Sequence, residues 1–518
     1  DLRFGIALDE PPEGFVLANP ENVKEFSVSM LAGESLMISS DENHSCLDYV
    51  LGNKTLGVGH KQVFYNWLKG SKLPFSAIEK LRISLTSKAV SGSKEHLVYH
   101  PKTIAAGVGC ERGTDPDELI SLVRNTLNKN KIAPESVAAV VSIDLKSDEP
   151  AIHALAEKLT DKPGESSPVR FFDAAALEEQ TPKLQNPSKT VFKEVGCHGV
   201  AEGAALAAAG KSGKLVIPKI KSKRATCAVA ESAELIDPQK TGKSQGTLFI
   251  VGTGPGSPKW RLPEAEEMLR NSNDWVGYGL YLDLIADLYK NQFGKEQRRL
   301  HRFELGQEEK RVRHALNLAA QGKTVALISS GDPGIYAMAT LVFEMLERTD
   351  AEPDQHAEWR RIRVVSTPGI TAMQAAGALA GAPLGHDFCS ISLSDLLTPW
   401  DTIKRRIIAA AKSDFVIAFY NPVSSRRINQ LYEAQKILLK HRSPDTPVIM
   451  AHNLGRNGER VNFVTLFNMD PSEADMLTVI IVGSSQSKKI QLPNGVVRVY
   501  TPRGYHKKQE TEKTLPVC

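Results

Sequence analysis

Apolar residues in this chain come in short blocks that end abruptly in Gly, Pro, Asp or Ser, with longer stretches of mixed polarity between them. The blocks read as strands, and apolar positions three and four apart in the intervening stretches read as helices. Early in the chain, residues 81–86 and 95–99 are expected as strands. From Thr103 the order becomes regular. An apolar run enters the glycines that end at Gly113, and Asp115 and Pro116 then start a helix over 117–128. Strands at 137–143 and 169–172 flank a helix over 149–159. This alternation predicts an α/β layer with a parallel sheet, whose strand ends carry the functional side chains. An Ala-rich helix opens at 196–203 and closes near Gly210, followed by a strand at 215–220. After a polar, Gly- and Pro-bearing segment at 236–246, the pattern resumes with a strand up to Val251, a helix over 263–271 and a strand at 275–278. Helices over 281–289 and 309–321 and a strand at 324–328 complete this series.

Two of the strands end in glycine-rich turns. In Gly252-Thr253-Gly254-Pro255-Gly256 the glycines let backbone approach a ligand and Pro255 stiffens the turn; an ordinary tight turn has the same composition. The three glycines fit a dinucleotide fingerprint poorly, because nothing fills its third position. No acidic residue follows at ribose-reading distance either: Glu266 and Glu267 come too early and Asp274 precedes a strand. The second turn, 329–338, opens a helix. Its N–H groups suit a zwitterion, with Asp332 beside a cationic or hydroxylated group, although turn chemistry alone also explains Gly-Asp-Pro-Gly. Further loops at 366–372, 391–400 and 419–422 follow strand-like runs.

Composition narrows the function classes. A length of 518 residues points to about three or four domains. With 64 basic against 60 acidic residues, no global field calls for nucleic acid or an anionic membrane. The six cysteines contain no CxxC pair, which argues against a disulfide scaffold, a zinc ribbon or a ligated cluster and makes a reducing cytoplasm the simplest compartment. No apolar run reaches the ~18 residues of a membrane span. A chain that starts at Asp1 rather than Met points to a trimmed amino end.

In the first half, the run 144–149 offers carboxylates at a strand end, or a helix cap. Residues 196–203 offer a helix start as an anion site. Cys197-His198 with Cys110 is too sparse for a metal site, and none is assigned. The stretch 211–224, with six basic residues and no acidic one, is either a solvated face or a receiver of polycarboxylates. Together GVGCERGT, SIDLKSDE, CHGVAEGAAL and KLVIPKIKSKRATCAVA, in that order, resemble the carboxy-terminal domain of the cobalt-precorrin-5A hydrolase family of cobalamin biosynthesis. Residues 1–100 resemble that family's middle segment, and nothing matches its amino-terminal module. Either this half is hydrolase-like, or it is a non-catalytic carrier that hands tetrapyrrole to its neighbour.

The loop series of the second half resembles the tetrapyrrole methylases. GHDFCSISLSDLLTPWDTIKRR, FYNP and the terminal TPRGY narrow it to the precorrin-3B carbon-17 methyltransferases. One departure is Val482-Gly483-Ser484-Ser485, where the family usually has Asn after the Gly.

The resemblance implies a two-lobed methylase fold preceded by a separate α/β hydrolase-like domain. The divisions are 1–100, 101–237, a linker at 238–246, lobes at 247–365 and 366–505, and a polar tail at 506–518. It implies a cytoplasmic homodimer that methylates precorrin-3B at carbon 17 with ring contraction to precorrin-4. A cobalt-bearing substrate of the oxygen-independent route, beside an active hydrolase domain, is the alternative.

The implied cofactor is S-adenosylmethionine, held by Gly254, Pro255, Gly256, Gly331, Asp332, Ile335, Tyr336, Thr371, Ala372, Tyr420, Asn421 and Ala451. Acid or base candidates are Asp395, Asp332 and His452, with His386, Asp387 and Glu459 behind them; each could equally be a cap or a satisfied polar group. Arg405, Arg406, Arg456 and Arg503, with Arg460, are candidates for the substrate's acid arms.

Overall fold

The earliest apolar runs pair into a four-stranded sheet, β1 (Phe15–Leu17), β2 (Leu36–Ser40), β3 (Leu81–Leu85) and β4 (His96–Pro101), in the order β1-β4-β3-β2. Phe26, Phe64 and Leu68 from the helices Val23–Leu31 and His60–Lys69 pack with Leu36, Ile83 and Tyr99 of this sheet. The computed structural model describes residues 3–40, 47–50, 59–76, 79–160, 166–290, 298–348, 353–424 and 427–505. The expected tail at 506–518 lies outside the described residues. The chain divides into two units, the first comprising Asp1–Gly246 with the short pieces Ala320–Gly322 and Arg361–Arg363, the second the rest from Thr247 onward.

The first unit's second sheet comprises β5 (Ile104–Cys110), β6 (Val137–Ile143), β7 (Val169–Phe172), β8 (Lys214–Lys221) and β9 (Ala225–Glu231), in the order β7-β6-β5-β9-β8. The expected parallel sheet is mixed. β5, β6 and β7 are parallel, whereas β9 runs antiparallel to β5 and β8 antiparallel to β9. The cause is local: residues 222–224 join β8 to β9 as a short turn, and a connection that short can only reverse the chain. Alternation along β5 splits the core. Ile104, Ala106 and Val108 meet the helices Pro116–Lys129 and Pro150–Lys158, while Ala105 meets the helix Val200–Ala209 on the other face. That helix lies so close that a Cβ on Gly107 would stand 2.0 Å from the Ala201 carbonyl oxygen. The segment expected as a linker is docked on β7. Phe171 and Lys243 exchange backbone hydrogen bonds of 2.7 Å, and Arg170 donates to the carbonyls of Thr241 at 2.7 Å and Gly242 at 2.9 Å.

The second unit begins with β10 (Thr247–Gly252), β11 (Asp274–Tyr278), β12 (Arg299–Phe303), β13 (Thr324–Ser329) and β14 (Arg363–Thr367), in the order β12-β11-β13-β10-β14. β10, β11, β12 and β13 pair in parallel, and β13 is a near-continuous apolar run because both its faces are covered. β14 runs through the expected lobe boundary at 365/366 and ends two residues later. The helix expected over 281–289 is two pieces, Gly279–Leu284 and Asp287–Lys290. Ile285 turns inward and is buried, and Arg261 holds Asp287 with two hydrogen bonds of 3.0 Å. Downstream come β15 (Gly381–Ala382), β16 (Phe388–Ser392), β17 (Val416–Tyr420), β18 (Pro447–His452), β19 (Arg460–Thr465), β20 (Thr478–Val482), β21 (Lys488–Gln491) and β22 (Val497–Tyr500). They form sheets of order β16-β17-β20-β18-β19 and β15-β22-β21. Among the described residues no helix is long and apolar enough to cross a membrane.

Candidate active site

Parallel pairing of β10 with β13 brings Gly252 beside Ser329, so the loops after both strands leave from one edge. Gly331 donates to the Gly254 carbonyl at 2.8 Å and Gly254 to the Gly331 carbonyl at 3.3 Å. Both glycines have φ of +72°, a conformation that costs other residues strain. The loop after β14 joins them. A Cβ on Gly369 would stand 2.0 Å from the Gly331 carbonyl oxygen, so backbone lies directly on backbone. Asp332 ties this junction: one carboxylate oxygen accepts from Gly334 N–H at 2.7 Å and the other from Gly369 N–H at 3.2 Å.

The opposite wall is built by Thr371 and Tyr420. Thr371 starts the helix Ala372–Ala380 in a capping box with Gln374. Its hydroxyl shares a 2.5 Å hydrogen bond with the Tyr420 hydroxyl, which also accepts from Met373 N–H at 3.0 Å. Burial raises the pKa of Tyr420, and the Thr371 bond partly offsets this. The Tyr336 and Tyr420 rings lie 5.1 Å apart, and Asn421 donates to Ser392 at 3.0 Å.

Between these walls lies a cavity of about 340 Å³. Tyr336, Asn421 and Asn453, all lining it, have φ of 52°, 50° and 50°. Left-handed backbone at residues other than glycine is strained and collects at functional sites. Two cations face the same space, Arg311 buried and Arg456 half-buried. Arg456 donates to the Pro255 carbonyl at 2.9 Å and to Ser330 at 3.0 Å, and Arg311 comes from the helix Glu308–Ala320. Burial lowers the pKa of both guanidinium groups. Among the described residues no thiol lines the cavity. The arrangement offers two guanidinium groups with donors to spare, suited to an anionic or zwitterionic ligand.

Of the expected cofactor residues, Pro255, Gly331, Asp332, Ile335, Tyr336, Thr371, Ala372, Tyr420 and Asn421 line the cavity. Three lie behind it. Gly254 serves the loop-to-loop hydrogen bonds, Gly256 packs 2.7 Å by its absent Cβ from Arg456, and Ala451 is buried inside β18.

Among the acid or base candidates only Asp332 lines the cavity, and both its oxygens are already engaged. Asp395 is exposed, lies outside the lining and accepts from Gln430 at 2.9 Å. His452 is fully buried, sharing a 2.9 Å hydrogen bond with Thr478. His386 pairs with Asp387 at 3.2 Å in solvent, and Glu459 accepts from Gly455 N–H at 2.6 Å. Among the arginines Arg456 lines the cavity. Arg405, Arg406 and Arg503 are exposed and stand outside it. Sequence reasoning missed Tyr278, Tyr281, Glu308 and Arg311; Tyr278, as the last residue of β11, was the one with a strand-end signal.

The first unit's candidates are committed internally. Asp148 pairs with Arg112 at 2.6 Å, and Glu149 accepts from Gly113 N–H at 3.1 Å. His198 pairs with Glu178 at 2.9 Å, and Cys197 is buried. The helix start considered as an anion site carries its own buried carboxylate, Glu202, which accepts from Gln185, Asn186 and Lys219 N–H groups at 2.8, 3.0 and 2.9 Å. The basic strand β8 is a sheet edge, where exposed lysines also discourage edge-to-edge pairing. No group of three or more His, Cys, Asp or Glu among the described residues is placed to hold a metal.

Comparison with known proteins agrees with this division. Residues 104–230 match the family model described as cobalamin synthesis G C-terminus. Residues 247–470 match that of the tetrapyrrole (corrin/porphyrin) methylases. A precorrin-3B C(17)-methyltransferase of Sinorhizobium sp is 42% identical over 262 residues, 50% of this chain and 97% of the relative. A cobalt-factor III methyltransferase of Priestia megaterium is 42% identical over 270 residues, 52% of this chain; the chain spans only 47% of that relative's length. The crystal structure of the methyltransferase CobJ is 38% identical, covering 50% of this chain and all of its own, with a TM-score of 0.44. With the loops after β10, β13, β14 and β17 gathered around one cavity and the Sinorhizobium relative matched over nearly its whole length, the chain belongs to the tetrapyrrole methylase family, its methylase half preceded by a cobalamin-synthesis-G-type domain.

Proposed function

We propose that the second unit methylates precorrin-3B at carbon 17, with ring contraction to precorrin-4, using S-adenosylmethionine in corrin ring synthesis. The observation that carries this reading is the 42% identity to the Sinorhizobium enzyme across 97% of that enzyme. The cavity supports it. At Gly331 an added Cβ would meet only the Thr371 Cα at 3.8 Å, so this backbone is open to a ligand. The buried Ser329 hydroxyl and one Arg456 nitrogen have no partner among the described residues. Those features fit a polar, zwitterionic cofactor, held by Pro255, Gly331, Asp332, Ile335, Tyr336, Thr371, Ala372, Tyr420 and Asn421.

When bound, S-adenosylmethionine supplies an electrophilic methyl on a sulfonium. The chain's own part is positional: the glycine loops and the Thr371–Tyr420 wall fix donor and acceptor carbon in line, which is the larger share of the rate enhancement for such a displacement. Asp332 acts here as a positioning residue, because its hydrogen bonds to Gly334 and Gly369 hold the two loops in register. On the same reading the protein is a cytoplasmic homodimer. Its first unit is a hydrolase-like or carrier module for the same tetrapyrroles, passing them along the pathway.

The names of the relatives differ in whether the ring carries cobalt, so the test uses both substrates. The full chain is incubated with S-adenosylmethionine and either metal-free precorrin-3B or cobalt-factor III, and the product is read by mass and absorption spectrum. Gain of one methyl with either ring is expected and identifies the route. No methyl gain with either ring overturns the proposal.

A further inference from the structure

We infer that Arg311 is a carboxylate-binding residue of the cavity, acting with Arg456 as a two-point cationic clamp. The inference rests on the functional reading above and deepens it.

Arg311 is 2% exposed, yet its donors are poorly used. One terminal nitrogen donates to the Glu304 carbonyl at 3.0 Å. The other meets only the Met338 sulfur at 3.7 Å, and the Nε has no partner among the described residues. The nearest carboxylate oxygen is Glu308 Oε1, at 4.0 Å. A guanidinium brings five donors in a planar fork, and a buried one without a well-placed anion is left uncompensated. Arg456, which lines the same cavity, repeats the pattern: two nitrogens are bonded to Pro255 and Ser330 and the third, Nη1, is without a partner. Both cations act on one hydroxyl. Burial raises the pKa of Tyr281, and the charges of Arg456 and Arg311 pull it back.

The carboxylates on the cavity wall do not cancel this charge. Asp332 is engaged by two N–H groups, and Glu308 is 40% exposed at the edge of ion-pairing distance. The missing partner is therefore an anion from the ligand, and a carboxylate matches the fork two oxygens to two N–H groups. Two sources share that chemistry: the amino-acid carboxylate of the methyl donor and the acid arms of the tetrapyrrole.

The test is Arg311→Met and Arg311→Lys in the full chain. Calorimetry with S-adenosylhomocysteine reads the first source, and the KM for the tetrapyrrole that the wild type methylates reads the second. Thermal melting checks that each variant is folded. In Arg311→Met, one of the two constants should rise about ten- to hundredfold, the scale of a lost charge-assisted contact, while the other stays within about twofold. Arg311→Lys, which keeps charge but not the fork, should recover only part. If Arg311→Met does not fold, Arg311→Lys carries the comparison, with a smaller rise in the same constant. Should both constants stay within twofold in a folded variant, Arg311 serves only to tie down the Glu304 loop and the inference falls. A wild type that binds S-adenosylhomocysteine but methylates neither ring refutes the functional reading instead, and the calorimetric arm still judges Arg311.

Discussion

Gly331→Ala separates the two reasons for a glycine at the centre of this site. Its φ of +72° makes any side chain strained there, at roughly 1–2 kcal/mol for alanine. Space is not the obstacle, because the nearest atom to the new Cβ would be the Thr371 Cα at 3.8 Å, an ordinary contact. The unliganded protein should therefore fold and melt about 2–8 °C lower. The methyl would stand on open cavity wall, where the cofactor's close approach to backbone needs the room, and affinity for S-adenosylhomocysteine should fall at least about tenfold, or 1.4 kcal/mol.

Gly369→Ala is the matched control. There the Cβ would stand 2.0 Å from the Gly331 carbonyl oxygen, 2.9 Å from the Gly331 carbonyl carbon and 3.1 Å from the Gly252 carbonyl carbon. All three are backbone atoms that cannot swing away, so the loop junction itself must move, at the upper end of the roughly 1–3 kcal/mol that overpacking costs. Thermal melting and calorimetry on both variants read the two effects. A folded Gly331→Ala that binds S-adenosylhomocysteine as tightly as wild type would show that this cavity is not the cofactor site.

Asp395→Asn should leave turnover within about twofold of wild type, since the carboxylate lies in solvent outside the cavity and an amide oxygen can still accept from Gln430; a hundredfold loss in single-turnover methyl transfer would return it to the mechanism. Burial, then the charge of Arg460, holds His452 below the ordinary histidine value, and His96 and His314 are lowered by burial as well. A depressed folded value contributes stability that is complete above an unfolded pKa of about 6.5 and is lost as the pH falls from there through the folded value. His452→Gln, which keeps a hydrogen-bonding partner for Thr478, should flatten the dependence of urea stability on pH below about 6.5 by up to one proton's worth, and an unchanged slope would place that linkage elsewhere.

Strands and turns were legible in the sequence because their causes are local. β6 and β13 are covered on both faces and so read as unbroken apolar runs, and Gly254 and Gly331 mark where the chain must take a positive φ. The cofactor loops could be found for that reason: contacts made by backbone leave glycine and proline in the sequence. Direction and partnership were not local. The turn at 222–224 reverses β8 against β9, and the segment read as a linker is held by Arg170. Asp395, an acid or base candidate from its sequence, stands beside Leu396 and Leu397, which are 80% and 93% exposed, and all three face solvent. Arg311 shows the converse. On an amphipathic helix rich in Glu, Lys and Arg it reads as one more solvated cation, and only the tertiary placement of that helix, with Arg311 against Met338, takes its guanidinium out of water. Local patterns set which backbone turns and which strands form; whether a charge is solvated, spent on a neighbour or left facing a cavity depends on what the rest of the chain places around it, and tertiary structure alone decides that.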